Sequence, residues 1–296
     1  MRVLVIGGTR FIGPRVVGLL VSHGHQVTVF HRGQHSSPVL PGVSELKHPA
    51  GAMPVRIIPD EARAIEPDVV LHMIAMGEED AEAAVAGFAG IARRIVVPSS
   101  GDVYKAYGIF MGIEPGPPVP VPLDEDAALR TVRYPYRKPD TPREALEFYY
   151  DKVLVEAAVS SRPDLPATIL RLPKVYGPED NRDLSTVYSF RQHPNWRWTH
   201  GFVDNVAAAI GLAVLTDRAA GKTYNVGEAR TPTVAERLRF LPARPDHPVF
   251  DKAANFDQDI VYDTNRIRRE LGYREVMDER AAMVNLVGGK LQLFQP

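Results

Sequence analysis

Val3-Leu4-Val5-Ile6-Gly7-Gly8-Thr9-Arg10-Phe11-Ile12-Gly13-Pro14 is the stretch that decides the fold. Four apolar residues in a row are too few for a helix and suit a strand buried on both faces. The glycine-rich turn follows at once. Gly7 permits a tight turn and Gly13 a close helix–strand contact. Pro14 is tolerated in a first helical turn, where its missing N–H would be unpaired anyway. Val16, Val17, Leu19 and Leu20 recur at helical spacing until His23-Gly24, and Val27-Thr28-Val29-Phe30 reads as a second strand. Strand, glycine turn, helix and strand open a doubly wound parallel sheet, a Rossmann-like α/β fold. The helix start offers N–H groups to a pyrophosphate.

The alternation continues outward. Residues 68–74, 94–98, 167–171 and 223–226 read as strands, and 79–92 and 143–160 as helices. Between them, residues 114–122 hold five prolines in nine positions and read as a rigid extended loop. A dinucleotide-binding domain is expected over residues 1–172, with a contribution from about 201–227. A smaller, irregular C-terminal substrate lobe is expected over 173–200 and 228–296, with the ligand cleft between them at the strand ends.

Composition narrows the function. The chain has 35 Lys+Arg against 36 Asp+Glu and a formal net charge of −1, which gives no global attraction to nucleic acid or to an anionic membrane. It has no cysteine, which excludes thiolate nucleophiles, disulfides and cysteine metal sites. The nine histidines are scattered, with only His31 and His35 four apart and on no expected helix, so no metal site is expected. Only four apolar residues follow Met1-Arg2, and no run approaches the roughly 18 needed to span a bilayer. A soluble cytoplasmic protein acting on a small molecule is expected, without membrane or nucleic-acid partners.

The second strand bears on the coenzyme. An acidic residue at its end would accept from a ribose 2′-hydroxyl, but Phe30-His31-Arg32 stands there. Arg10 lies in the glycine turn. Two guanidinium groups and no carboxylate suit a 2′-phosphate, so NADP is expected over NAD.

The motifs together resemble the extended short-chain dehydrogenase/reductase superfamily, in its NAD-dependent epimerase/dehydratase branch. Gly7 to Gly13 resembles its glycine loop, with Arg10 in place of the middle glycine. The form Gly-Gly-Thr-Arg-Phe-Ile-Gly is similar to an atypical subgroup that includes chloroplast stem-loop RNA-binding proteins. Ser99-Ser100-Gly101-Asp102-Val103-Tyr104 resembles the segment with the catalytic Ser or Thr, and Lys152 to Glu156 the end of the Tyr-x-x-x-Lys helix. Leu170 to Pro178, Gly201 to Val206, Tyr224 to Gly227, and Asp263 to Arg266 with Leu271-Gly272-Tyr273 fit in order along the chain.

The resemblance implies hydride transfer to or from a nicotinamide while a Tyr hydroxyl carries the proton. It assigns coenzyme contacts to Gly7, Gly8, Thr9, Arg10, Phe11, Ile12, Gly13, His31, Arg32, Ala75, Met76, Pro98, Lys152, Pro173 and Val175. Ser100 would hold the substrate oxygen, and Lys152, fixed by Glu156, would serve the tyrosine and the ribose. The position four before Lys152 is Phe148, which has no proton to give. On one continuous helix Tyr149, three before Lys152, shares its face, and Tyr150, two before, does not. Tyr149 is therefore the expected substitute, with Tyr104 and Tyr107 as other donors. Gly101-Asp102 stands where dehydratases of the superfamily carry Asp-Glu, which argues against sugar dehydration and leaves reduction or epimerisation.

Other readings stay open. Because of Phe148, the protein is alternatively a dinucleotide binder without redox turnover. As a member of the atypical subgroup it is alternatively an RNA-binding protein. Arg130, Arg133, Arg137, Lys138 and Arg143, around Tyr134 and Tyr136, form either a lid gripping an anionic substrate or a solvated basic loop. Trp196 and Trp198 either stack on a sugar or base or pack in the lobe core. A homodimer is compatible with the resemblance.

Overall fold

The computed structural model describes residues 1–34 and 40–291. Its strands are β1 (Arg2–Ile6), β2 (Gln26–His31), β3 (Val43–Lys47), β4 (Val69–His72), β5 (Arg94–Ser100), β6 (Ala167–Leu172), β7 (Lys174–Tyr176), β8 (His200–Phe202) and β9 (Thr223–Asn225). Seven of them form a parallel sheet in the order β3-β2-β1-β4-β5-β6-β9. The order reverses direction beside β1, so the crevice where α/β sheets receive ligands opens at the C-terminal ends of β1 and β4.

The helices are α1 (Ile12–Ser22), α2 (Asp60–Arg63), α3 (Glu78–Phe88), α4 (Lys105–Phe110), α5 (Leu146–Tyr149), α6 (Lys152–Val159), α7 (Ser185–Tyr188), α8 (Val203–Leu215), α9 (Val234–Leu238), α10 (Asn265–Leu271) and α11 (Glu279–Val287). Side chains alternate across a strand, and β1 divides accordingly. Val3 and Val5 face the core under α1 and α8, while Leu4 and Ile6 face the core under α3 and α6. Both faces are covered, which is why the opening strand reads as an unbroken apolar run.

The lobe is less contiguous than the sequence suggests. β7 and β8 make a separate two-stranded parallel sheet. Val103, Tyr104, Phe110 and Leu123, from the first 172 residues, share a core with Phe190, Trp196, Val234 and Ile260. Ile267, Leu271 and Tyr273, from the last 70, pack into the main sheet's core instead.

The expected helix over 143–160 is corrected. It is broken into α5 and α6, with Tyr150 at φ −64°, ψ 117° and Asp151 at φ −159°, ψ 102° between them. Asp151 caps the second segment by accepting from Val153 N, and pairs with Arg130 at 2.8 Å with both side chains buried. A cap whose carboxylate is claimed by a buried guanidinium stops the helix more firmly than apolar periodicity extends it. The strands β3, β7 and β8, and the helices α2, α4 and α7 to α11, carried too weak a local signal to be read.

Candidate active site

Two clefts lie at the strand ends. The first, of about 310 Å³, is lined by the whole glycine turn from Gly7 to Ile12, by His31 to Gln34, and by Gly51, Met53, Met73, Ile74 and Met76. Gly7 and Gly8 hold φ +84° and +80°, backbone open to glycine at little cost. A Cβ at Gly13 would lie 2.3 Å from the Gly8 backbone, so helix start and turn touch through backbone alone. Gly13 thus closes the loop on itself rather than the helix on the strand. This cradle, with the amide groups of an eleven-residue helix behind it, fits a dinucleotide pyrophosphate. No carboxylate is among the described lining residues. Arg10 is exposed and Arg32 half-buried, both on the rim, and His31 Nε2 lies 3.2 Å from Glu45 Oε1, which stands behind it on β3.

The second cleft, of about 330 Å³, is lined by Ser100, Gly101, Asp102, Tyr107, Tyr136, Tyr150, Leu172 to Val175, Asp180, Trp198 and Tyr262. Phe11 lines both clefts, with its backbone at φ 52°, and forms the wall between them. Pro173 and Val175, expected at the coenzyme, line this second cleft.

Lys152 sits beneath. Its Nζ donates to Ala75 O at 2.5 Å and to Pro98 O at 3.1 Å. Ala75 and Pro98 thus reach the site through their carbonyls, by holding the lysine. Burial lowers the ammonium pKa to about 8. Glu156 does not fix Lys152; it accepts from Ser99 Oγ at 2.6 Å and pairs with Arg171 at 2.8 Å. Ser99 is spent in that network, and Ser100 is the serine that faces the cleft. Asp80 holds the neighbouring loop, accepting from the backbone N–H groups of Met76, Gly77 and Val55.

The tyrosines are rearranged by the helix break. Tyr149 does not line the cleft with Ser100; its backbone and ring lie against Gly77. Tyr150 does line it, bonding Asp102 Oδ2 at 2.8 Å and the Ser100 hydroxyl. The spacing argument that favoured Tyr149 assumed a continuous helix, and the extended Tyr150–Asp151 pair turns the next side chain inward instead. Tyr136 also donates to Asp102 Oδ2, at 3.0 Å, and the Tyr136 hydroxyl lies 3.5 Å from the Tyr107 hydroxyl. Burial pushes the pKa of Tyr150 well up, and the Asp102 charge adds to this, while the Ser100 hydroxyl opposes it. Tyr104 does not line the cleft. Its hydroxyl is buried among Asn225, Arg171 and the Asp124 carbonyl, and burial raises its pKa to about 12. A Cβ at Gly101 would lie 1.2 Å from the Tyr262 hydroxyl, so that phenol fills the space of the missing side chain.

The remaining candidates separate. Arg130 is buried and paired with Asp151, so it is neither lid nor solvated. The Arg137 guanidinium stacks 3.7 Å over Tyr134 and 4.1 Å over Phe148, which gives Phe148 a surface role. Trp196 is core, stacked on Phe110 at 4.6 Å, whereas Trp198 lines the cleft. Sequence reasoning missed Asp102, Tyr136 and Tyr150 as a group, because 48 residues separate the first from the last. Among the described residues no cluster of His, Asp and Glu could hold a metal ion, and no helix is long and apolar enough to cross a membrane.

No protein-family model matches the chain. Over 47 residues it is 51% identical to the chloroplast stem-loop binding protein of 41 kDa b from Arabidopsis thaliana, a stretch covering 15% of this chain and 12% of that protein. The solved Bordetella bronchiseptica enzyme WbmG in complex with NAD and UDP aligns with a TM-score of 0.69 at 16% identity, over 97% of this chain and 94% of that one. UDP-glucose 4-epimerase from Thermotoga maritima, with UDP-glucose, gives 0.63 at 16% identity over 97% and 98%. An epimerase from Methanothermobacter thermautotrophicus gives 0.66 at 17% identity over 95% and 89%. At such identities the likeness is one of fold, and the chain has the Rossmann-like fold of these proteins.

Proposed function

We propose that the protein is a pyridine-nucleotide-dependent oxidoreductase or epimerase acting on a hydroxyl or carbonyl group of a small, sugar-like molecule. The observation that carries this is the juxtaposition of the two clefts. A glycine cradle fit for a dinucleotide shares the Phe11 wall with a pocket that holds a serine, a tyrosine and an aromatic platform. A bound nicotinamide would supply the hydride acceptor or donor.

The protein's own residues do the rest. The glycine turn and α1 hold the phosphates, and Lys152 fixes the coenzyme side of the site from below. Ser100 donates to the substrate oxygen, and Tyr150, in place of the expected Tyr149, exchanges the proton. Trp198 offers a face to a sugar ring, with Lys174 and Asp180 beside it for polar groups. Arg10 and Arg32 select NADP, since Arg pairs with phosphate through charge-assisted forks. The WbmG structure contains NAD, so the two coenzymes are compared directly.

The test is calorimetric binding of NADP and NAD, followed by coenzyme reduction on a panel of sugars, polyols and sugar nucleotides. Tight binding with turnover on at least one compound is expected. Binding with no turnover on any would favour the coenzyme-binding reading without redox. The short match to a stem-loop binding protein supports a second reading, RNA binding. Fluorescence anisotropy with a labelled stem-loop tests it, and the even charge balance leads us to expect no saturable binding at physiological salt.

A further inference from the structure

We propose that Asp102 is the proton acceptor behind Tyr150, so that the acid/base of this site is a phenol–carboxylate relay rather than a lone phenol. Both phenols that reach Asp102, from Tyr150 at 2.8 Å and Tyr136 at 3.0 Å, donate to the same oxygen, Oδ2. The other oxygen, Oδ1, is buried without a hydrogen-bond partner among the described residues. A carboxylate in that position is poorly satisfied as an anion and readily takes a proton. It also lines the cleft with Ser100, where the reacting oxygen is placed.

The groups facing it are Tyr136 and Tyr150 in direct contact, Tyr107 and Tyr262 nearby, and the cations Arg130 and Lys152. Arg130 spends its guanidinium on Asp151, the Val132 carbonyl and the Asp102 backbone carbonyl, and Lys152 spends two donors on Ala75 and Pro98. Neither neutralises the Asp102 side chain by contact. Burial accordingly raises the Asp102 pKa, against the hydrogen bonds and cations that lower it.

In the oxidising direction the substrate O–H proton passes to Tyr150 Oη as the Tyr150 proton passes to Asp102 Oδ2. The substrate C–H bond breaks and C=O forms, its electron pair leaving with the hydride to the pyridine nucleotide. In the reducing direction each transfer reverses and protonated Asp102 recharges Tyr150. The relay rests on the oxidoreductase reading above, and it answers a difficulty in that reading. The lysine of this site is turned to two carbonyls, and the nearest charge to Tyr150 is negative, so the phenol resists becoming a phenolate by itself.

The test has two arms. Protein labelled with 13C at Tyr Cζ and Asp Cγ is titrated without coenzyme or substrate, Tyr150→Phe and Asp102→Asn assigning the signals. The relay requires Asp102 to titrate above the ordinary carboxylate range and Tyr150 to sense the same midpoint. Tyr136→Phe, which removes one donor and leaves Asp102 intact, should raise that midpoint further. An Asp102 midpoint in the ordinary range, or a Tyr150 signal flat across it, overturns the proposal. In the second arm, alcohol oxidation is followed against pH. Asp102→Asn should lower turnover at neutral pH by about 30-fold and abolish the acidic limb, with both partly restored in Asp102→Glu. A lone phenol gives the opposite sign: removing the neighbouring charge eases ionisation, and Asp102→Asn then turns over as fast as the parent or faster. If no alcohol is oxidised at all, the oxidoreductase reading fails, and the first arm still decides whether the two groups share a proton.

Discussion

The two clefts share a wall but differ in how they are built. The first is a local object: six consecutive residues, Gly7 to Ile12, line it, and their backbone angles, with the close approach of Gly13 to Gly8, define it. The second is assembled from β5, the loop after α4, the α5–α6 break, β7 and the stretch before β8, and no six-residue window contains even two of its polar triad Asp102, Tyr136 and Tyr150. A backbone-made site is written in a contiguous string of glycines. A side-chain-made site is written in the fold.

That contrast can be broken by mutation. The largest effect is expected in the assembled cleft: Tyr150→Phe should lower turnover by about 10²- to 10⁴-fold with coenzyme affinity nearly unchanged, read as kcat and as calorimetric Kd. Gly13→Val comes next. Its side chain cannot fit against the Gly8 backbone, so the cradle must open, and coenzyme Kd should rise by about 100-fold. Arg32→Ala should weaken NADP about tenfold while leaving NAD within about twofold, since only the 2′-phosphate uses the guanidinium.

Lys152 sharpens the comparison through pH. Its folded pKa of about 8 lies below the ordinary lysine value, so between those values the unfolded chain binds more protons than the folded one. Stability from this group therefore rises as pH climbs from about 8 towards 10. Urea unfolding across that range should show the rise in the parent protein and lose it in Lys152→Met. The smallest effects are expected where the sequence placed the proton donor. Tyr149→Phe and Phe148→Tyr should each change turnover by less than about twofold, because Tyr149 lies on Gly77 and Phe148 under Arg137.

How much was legible follows the same division. The opening βαβ unit, the parallel sheet and the glycine cradle were readable because apolar runs and glycines report backbone geometry directly. β3 was not, since an edge strand reading Val-Ser-Glu-Leu-Lys is largely exposed and has no apolar run. α8 was hidden because it is buried on most sides, and a helix that is apolar throughout after Asp204-Asn205 shows no periodicity. In the candidate site, Ser100 and Lys152 were named from motifs, and the structure places Ser100 in the cleft lining and Lys152 against the Ala75 and Pro98 carbonyls. The choice between Tyr149 and Tyr150 hung on whether residues 143–160 were one helix. That was settled by the buried Arg130–Asp151 pair, 21 positions apart in the chain, which no local pattern contains. Glu156 was likewise assigned to Lys152 by spacing, while its partners, Ser99 and Arg171, come from neighbouring strands.

The most direct test of the central claim is isothermal calorimetry of the purified protein with NADP, NADPH, NAD and NADH, beside Gly13→Val. The glycine cradle requires saturable heat at one-to-one stoichiometry with at least one of the four, and its loss in the variant. No heat with any of them, or equal binding by parent and variant, would contradict it.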